Sequence, residues 1–237
     1  MTLATYDFAY GNGRKTFQYD SDDVLKVVRT EPFEVMQNVH EHVLEALYHP
    51  IGLPPVNEIV KPGDTVAFIC NDPTRIANSE IFMPILVNEM NKLGVPDENM
   101  KIVFALGTHR AMTPEEMEKE VSPEVARRIK MYNSIATNKD DFEYFGTTSL
   151  GTPVWINKEL CHVDHIFLTG TIVHHYFSGY GGGRKAILPG CAAMETVRMN
   201  HSHMLSEKAG LGRMEGNPCY DDQMEGVALF AKGRSLF

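Results

Sequence analysis

The 237-residue chain is 43% hydrophobic and 22% charged, ordinary for a soluble globular protein and enough for one large α/β domain or two small ones. A net charge of -9 argues against general nucleic-acid affinity, and no apolar run approaches the roughly 18 residues of a membrane span. The N-terminus lacks the basic start and apolar core of a secretory signal, and the four cysteines (Cys70, Cys161, Cys191, Cys219) are scattered without a C-x-x-C, so they read as buried or free thiols of a reducing cytoplasm and not as a disulfide or zinc framework.

The first twenty residues, MTLATYDFAYGNGRKTFQYD, read as a strand, a Gly-Asn-Gly turn and a second strand. Ser21–Val28 and Phe33–Tyr48 are expected to be helices, the second carrying a solvated NVHEH face at Asn38–His42. After the Lys61-Pro62-Gly63-Asp64 turn, Thr65–Cys70 (TVAFIC) is a short apolar strand. Asn78–Leu93 has Ile81, Phe82, Ile85, Leu86, Met90 and Leu93 at helical spacing and Gly94 as its stop. Lys101–Leu106 (KIVFAL) is the next strand. Thr113-Pro114-Glu115-Glu116 has a cap, a proline at the first helical position and a capping-box glutamate, and so starts a helix. Phe142–Phe145 and Val154–Ile156 read as a strand pair around Gly151-Thr152-Pro153. His165–Thr169 is a buried strand flanked by His162 and His165, both read as structural. Cys191–Leu205 and Tyr220–Ala231 are expected helices, and Ser235-Leu236-Phe237 the start of a strand. Short apolar strands alternating with helices predict an α/β fold: a mostly parallel, doubly wound sheet with helices on both faces, preceded by an N-terminal hairpin.

In such sheets ligands bind outside the carboxyl ends of the strands, and three polar clusters fall there. TVAFIC runs into Asn71-Asp72-Pro73-Thr74-Arg75, which is either an Asx-type turn capped by Asp72 or a site where Arg75 grips a carboxylate or phosphate bidentately. KIVFAL runs into Gly107-Thr108-His109-Arg110, with His109 placed for capping or for acid–base work. The third strand runs into Thr169–Gly190, TGTIVHHYFSGYGGGRKAILPG, which holds two histidines, the glycines Gly179, Gly181, Gly182 and Gly183, and an Arg-Lys pair. Glycine there lets backbone approach a ligand closely and aim N–H groups at anionic oxygens; Lys185 can be a phosphate contact or a nucleophile, and the imidazoles offer proton transfer or metal ligation. The loop is neither a P-loop, because Gly183-Arg184-Lys185-Ala186 stands where Gly-Lys-Ser/Thr is needed, nor a dinucleotide fingerprint. Of His201 and His203, two apart on a helix, at most one is expected to face the site.

Asp72-Pro73-Thr74-Arg75, Gly107-Thr108-His109-Arg110, His175-Tyr176-Phe177-Ser178-Gly179, Gly182-Gly183-Arg184-Lys185, Pro189-Gly190 and Asn200-His201, in this order, resemble the nickel-dependent lactate racemase family from about Tyr6 onward. The resemblance implies a nickel-pincer nucleotide joined covalently to Lys185, with His201 as the protein nickel ligand and His109 and His175 as the acid–base pair. It also implies Asp72 and Arg75 against the cofactor or substrate, and the glycines Gly179, Gly181, Gly182 and Gly183 around the nucleotide phosphate. The implied reaction racemises or epimerises a small 2-hydroxy acid, lactate by default, by proton-coupled hydride transfer through the keto acid. The cofactor would be built by accessory maturation proteins. His174 stands where the family has proline; spacing to Gly179 and Lys185 favours His175 as the second base. The family has two domains, so residues 1–237 are expected to be the N-terminal catalytic and cofactor-binding domain, with the second domain absent. Two other readings stand beside this one: a pyridoxal-phosphate enzyme with a Schiff base at Lys185, and a nucleotide-cofactor-binding domain without turnover.

Overall fold

A computed structural model describes residues 2–29, 31 and 35–237. The chain divides into two compact units, Met1–Gln37 and Asn38–Phe237.

In the first unit, strands β1 (Leu3–Tyr10) and β2 (Gly13–Asp20) form the expected antiparallel hairpin in unbroken register, Leu3 opposite Asp20 and Tyr10 opposite Gly13. Alternation puts Tyr6, Phe8, Phe17 and Tyr19 on one side, where their rings pair at 4.9–6.4 Å. Helix at Ser21–Val28 is not formed; only Ser21–Asp23 makes a short 3₁₀ turn. Val24, Leu25, Val27 and Val28 are all exposed, so no core face rewards the apolar spacing, and the β-branched valines disfavour helix without one.

The second unit opens with α1 (Val39–Tyr48), later than the expected start at Phe33; residues 33 and 34 lie outside the described residues, and 35–38 are not helical. His40 and His42 are exposed, as a solvated face requires. A short α2 (Val56–Ile59) precedes the central sheet. That sheet consists of β3 (Val66–Asn71), β4 (Met100–Ala105), β5 (Lys130–Asn133), β8 (His165–Leu168) and β12 (Ser235–Leu236), all parallel, in the order β12-β8-β3-β4-β5. An antiparallel ribbon of β6 (Phe142–Thr147) and β7 (Pro153–Asn157) stands where the strand pair was expected. A small sheet of β9 (His174–His175), β10 (Ser178–Tyr180) and β11 (Gly210–Leu211) was not foreseen.

Period-two alternation divides the apolar strands between two cores. Val66, Phe68 and Cys70 of β3, Ile102 and Phe104 of β4 and Phe167 of β8 face α1, α3 (Ser79–Lys92), α4 (Pro114–Val121) and α5 (Pro123–Arg128). Ala67, Ile69, Val103 and Ile166 face α6 (Arg184–Ile187), α7 (Met194–Ser202) and α8 (Pro218–Phe230) together with β7. The sheet is therefore covered on both faces, and each fully buried Phe or Ile contributes about 1.5–3 kcal/mol. The helix α3 buries Met83, Leu86, Val87 and Met90 as one stripe and ends at Gly94, whose φ of +91° lets the Val95 amide reach back to the Met90 carbonyl. All four cysteines are buried and free; burial pushes the Cys70 and Cys161 thiols up to about 12 and Cys219 to about 11, which makes them inert. No helix among the described residues is long and apolar enough to cross a membrane.

Two local features permit stability tests. Thr113 accepts the Glu116 amide while Glu116 accepts the Thr113 amide, the predicted capping box, so Thr113→Ala lowers stability by about 1 kcal/mol in urea denaturation. At Gly190 a Cβ would collide with the Ala186 carbonyl and sit 2.7 Å from Ala105 Cβ, so Gly190→Ala costs about 1–3 kcal/mol in the same measurement.

Candidate functional site

The strand order reverses at β3. The chain steps from β3 to β4 to β5, then returns to place β8 on the other side of β3. The crevice beyond the carboxyl ends of β3 and β8 is where an open α/β sheet receives ligand. A cavity of about 190 Å³ lies there, lined by Asp72 and Arg75 after β3, His109 after β4, and Thr171, His175, Gly181, Gly182 and Lys185 after β8, with His201 from α7. A larger open trough of about 1040 Å³ past Lys139, Trp155 and Arg198 holds no histidine and none of these residues.

Asp72 is buried and makes the Asx turn of the first reading. Its Oδ1 accepts the Thr74 amide at 2.7 Å in an Asx turn, and its Oδ2 meets His109 Nδ1. A carboxylate accepts only, so Nδ1 of His109 carries the hydrogen and Nε2 is left as an acceptor. The ring itself is 43% exposed and reachable from solvent. Arg110 points into a bidentate pair with Glu116 of the capping box and takes no part in the cavity. Arg75 is exposed, its guanidinium 3.3 Å from its neighbour Thr74's hydroxyl, with no carboxylate partner among the described residues.

Adjacent residues of a strand face opposite ways, which separates His174 from His175. His174 packs at a tilt against Tyr180, ring centroids 4.8 Å apart, outside the cavity, and His175 lines it. Nδ1 of His175 receives the Ser178 amide at 3.3 Å, so a neutral His175 carries its hydrogen on Nε2. Burial first, then the charges of Lys185, His201, Arg75 and Arg184, push His175 down to about 4. Burial and the neighbouring Arg184 and Arg75 also push Lys185 down to about 8. His201 packs on Phe177 at 5.0 Å; burial and then Lys185 hold it below its ordinary value, against an upward pull from the Val197 carbonyl one turn earlier. Its Nδ1 is buried with no partner in hydrogen-bonding geometry. His203 does not line the cavity; its Nε2 lies 3.9 Å from Asp222. His162 is exposed and 3.5 Å from Glu143, and buried His165 meets Asp64 at 2.8 Å at the amino end of β8, away from the cavity.

The four glycines divide. Gly181 and Gly182 line the cavity, where a Cβ would stand 3.3 Å from the Thr171 carbonyl and 3.0 Å from Ile172 respectively. Gly179 and Gly183 do not line it. Gly179 has φ +74° and a Cβ there would collide with the Arg213 carbonyl, so glycine is needed for the approach of β10 to the loop before α8; Gly183, φ +50°, faces open space. Asn71, Thr108, Thr169 and Thr171 also line the cavity; all four lie within the three polar clusters at the strand ends, but none was singled out as a functional residue.

Residues 10–212 match the sequence model of the lactate racemase N-terminal domain. The lactate racemase of Thermoanaerobacterium thermosaccharolyticum is 28% identical over 94% of this chain and 53% of its own length, and that of Lactiplantibacillus plantarum 27% identical over the same shares. The chain thus spans about half the length of the curated relatives it matches. The lactate racemase apoprotein structure from T. thermosaccharolyticum superposes with a TM-score of 0.80 at 27% identity, covering 98% of this chain and 54% of that one. A protein from Thermotoga maritima shares the fold, with a TM-score of 0.68 at 23% identity over 82% of this chain and 48% of its own. With a match across more than half its length and the same fold, the chain belongs to the lactate racemase N-terminal domain family.

Proposed function

We propose that this chain is the cofactor-bearing part of a cytoplasmic isomerase that racemises or epimerises a small 2-hydroxy acid, with lactate the first substrate to test because the curated relatives are lactate racemases. One observation carries the reading: two imidazoles of opposite proton occupancy, His109 backed by Asp72 and His175 capped by Ser178, share one small cationic cavity with Lys185. Residues 1–237 serve as a catalytic and cofactor-binding domain, completed by a second domain in a protein of the relatives' length.

The residues fit a nickel-pincer nucleotide. Burial and then Lys185 favour the neutral form of His201, and its buried Nδ1 lacks a partner, which suits metal ligation. Lys185 is a partly buried amine with unprotonated character near neutrality, which suits covalent attachment. Gly181 and Gly182 open a backbone cradle where side chains would block approach, and Arg75 supplies a charge for phosphate or carboxylate. When bound, the cofactor supplies the acceptor for the substrate's α-hydrogen.

The chain's own residues then handle binding and protons. Arg75 makes the cavity attractive to a carboxylate. His109 accepts the hydroxyl proton at Nε2, and Asp72 stabilises the imidazolium so formed. On the return step the second imidazole, His175, delivers its Nε2 proton to the carbonyl oxygen from the imidazolium form, in which Nδ1 is also protonated and no longer accepts the Ser178 amide. Burial, and then the cationic neighbours, hold His175 neutral in the chain alone; an anionic substrate and a phosphate offset the neighbours' share and so favour its protonated form.

In a full-length protein loaded by its maturation proteins, His109→Ala and His175→Ala each retain nickel and lose lactate racemisation by roughly 10²–10⁴-fold, while His174→Ala stays active. A dead His174→Ala beside an active His175→Ala would transfer the role upstream. His201→Ala lowers nickel per chain with the nucleotide still attached, and Lys185→Ala carries no covalent nucleotide by intact-mass spectrometry. A borohydride-fixable pyridoxal adduct would favour a Schiff-base enzyme instead, and full loading without turnover a binding domain.

The chain without cofactor has its own test. Amine acylation of Lys185, followed by peptide mass mapping, rises with a midpoint near pH 8, against 10.5 for an ordinary lysine, because the free amine forms as pH climbs through the lowered value. A midpoint at the ordinary value would remove the case for an activated lysine.

A further inference from the structure

Behind the cavity lies a hydrogen-bond chain of buried side chains, Asp222, Asn200, Gln223 and Ser178, none of them exposed at all. Its direction is set at one end. The Asp222 carboxylate, which can only accept, takes the hydroxyls of Thr148 and Thr152 and the Asn200 amide, the last at 2.7 Å. With its NH₂ committed to Asp222 and the Cys219 carbonyl, Asn200 turns its oxygen to Gln223, whose NH₂ donates at 3.0 Å. The Gln223 oxygen then faces Ser178 and accepts its hydroxyl at 2.8 Å. Every amide orientation follows from the carboxylate, so the ambiguity between amide oxygen and nitrogen disappears.

The chain ends on the backbone that holds His175. Ser178 opens β10, Gly179 pairs with His175 across the β9–β10 ribbon, and the Ser178 amide donates to His175 Nδ1. Arg184 pins the same residue from the other side, 2.7 Å from the Ser178 carbonyl. Asn200 lies beside His201 on α7, and Gln223 on α8 bridges that helix to the ribbon. Two of the elements that build the cavity are thus tied together through one glutamine that touches neither substrate nor cofactor space.

We propose that Gln223 is a positioning residue: it fixes Ser178 so that the Ser178 amide caps His175 Nδ1, holds the imidazole in its Nε2-hydrogen tautomer, and keeps His175 in register with the helix carrying His201. The structural core of this proposal concerns the chain alone; only its kinetic arm rests on the racemase reading.

The test is nitrogen-15 NMR and amide hydrogen exchange on the cofactor-free chain at neutral pH. In the parent, His175 shows the Nε2-hydrogen tautomer and the Ser178 amide exchanges slowly. Gln223→Met, similar in length but unable to accept or donate, gives a mixture of His175 tautomers and Ser178 exchange faster by about tenfold, the worth of one buried hydrogen bond. Ser178→Ala breaks the same link from the other end, leaves the backbone amide in place, and moves both readings in the same direction; it decides the matter if Gln223→Met does not fold. Parent-like tautomer and exchange in the folded variants overturn the proposal. In the loaded full-length protein Gln223→Met lowers kcat on the order of tenfold with KM within about twofold. Unchanged kcat beside the NMR changes would overturn the catalytic relevance of the positioning, whereas loss of turnover in the parent as well would count against the racemase reading and not against the relay.

Discussion

The site depends on the position of β3 between β4 and β8. Parallel strands need crossovers, and crossovers of fixed hand that leave β3 in opposite directions open a crevice at its carboxyl end. Asp72, His109 and Lys185 are separated by up to more than a hundred residues in the chain, yet each comes into the crevice only because its strand ends there. Strands buried on both faces are stiff, so the loops leaving them start from fixed points. The Gly107 amide donates to the Gly190 carbonyl at 2.9 Å, joining the loop that carries His109 to the turn that closes the glycine-rich segment.

That crevice concentrates positive charge in a chain whose net charge is -9. Arg184 and Arg75 act on Lys185, and all three act on His175; burial of Lys185 and Arg184 strengthens their share by excluding water. Desolvation and mutual repulsion make the neutral forms of His175, His201 and Lys185 easier to reach than they are in water. Nucleophilic attachment, metal ligation and proton acceptance all require that neutral form. The same charges make an anionic occupant the natural counterpart of the cavity.

Behind the cavity the protein buries a carboxylate, two amides and a hydroxyl, an arrangement that costs stability unless every group is satisfied. Asp222 achieves this with three donors on its two oxygens, and the commitment then passes outward, bond by bond, to Ser178. An apolar core at these positions would pack as well but would specify no orientation for the ribbon. The buried polar chain converts a packing contact between α7, α8 and β10 into a directional one.

Much of the architecture was legible in the residues themselves. The alternation in TVAFIC and KIVFAL, the stripe on α3, the capping box at Thr113 and the Gly94 stop are local consequences of period, sterics and hydrogen bonding, and each is found where it was read. Spacing favoured His175 over His174, but which of the two lines the cavity was decided by the β9–β10 ribbon, which sends neighbours to opposite sides. Local pattern failed at Ser21–Val28, where apolar spacing met no core, and at β5 and the β9–β10–β11 sheet, whose two to four residues carry too little period to register. Gly179 and Gly183 looked like Gly181 and Gly182 in the sequence; only the folded backbone shows Gly179 meeting the Arg213 carbonyl and Gly183 facing open space. Asn200, Asp222 and Gln223 gave no sign of their connection to Ser178, because nothing local relates residue 178 to residue 223. Sequence determines what each segment prefers for itself, while a directional contact between distant side chains exists only once packing has excluded water from between them.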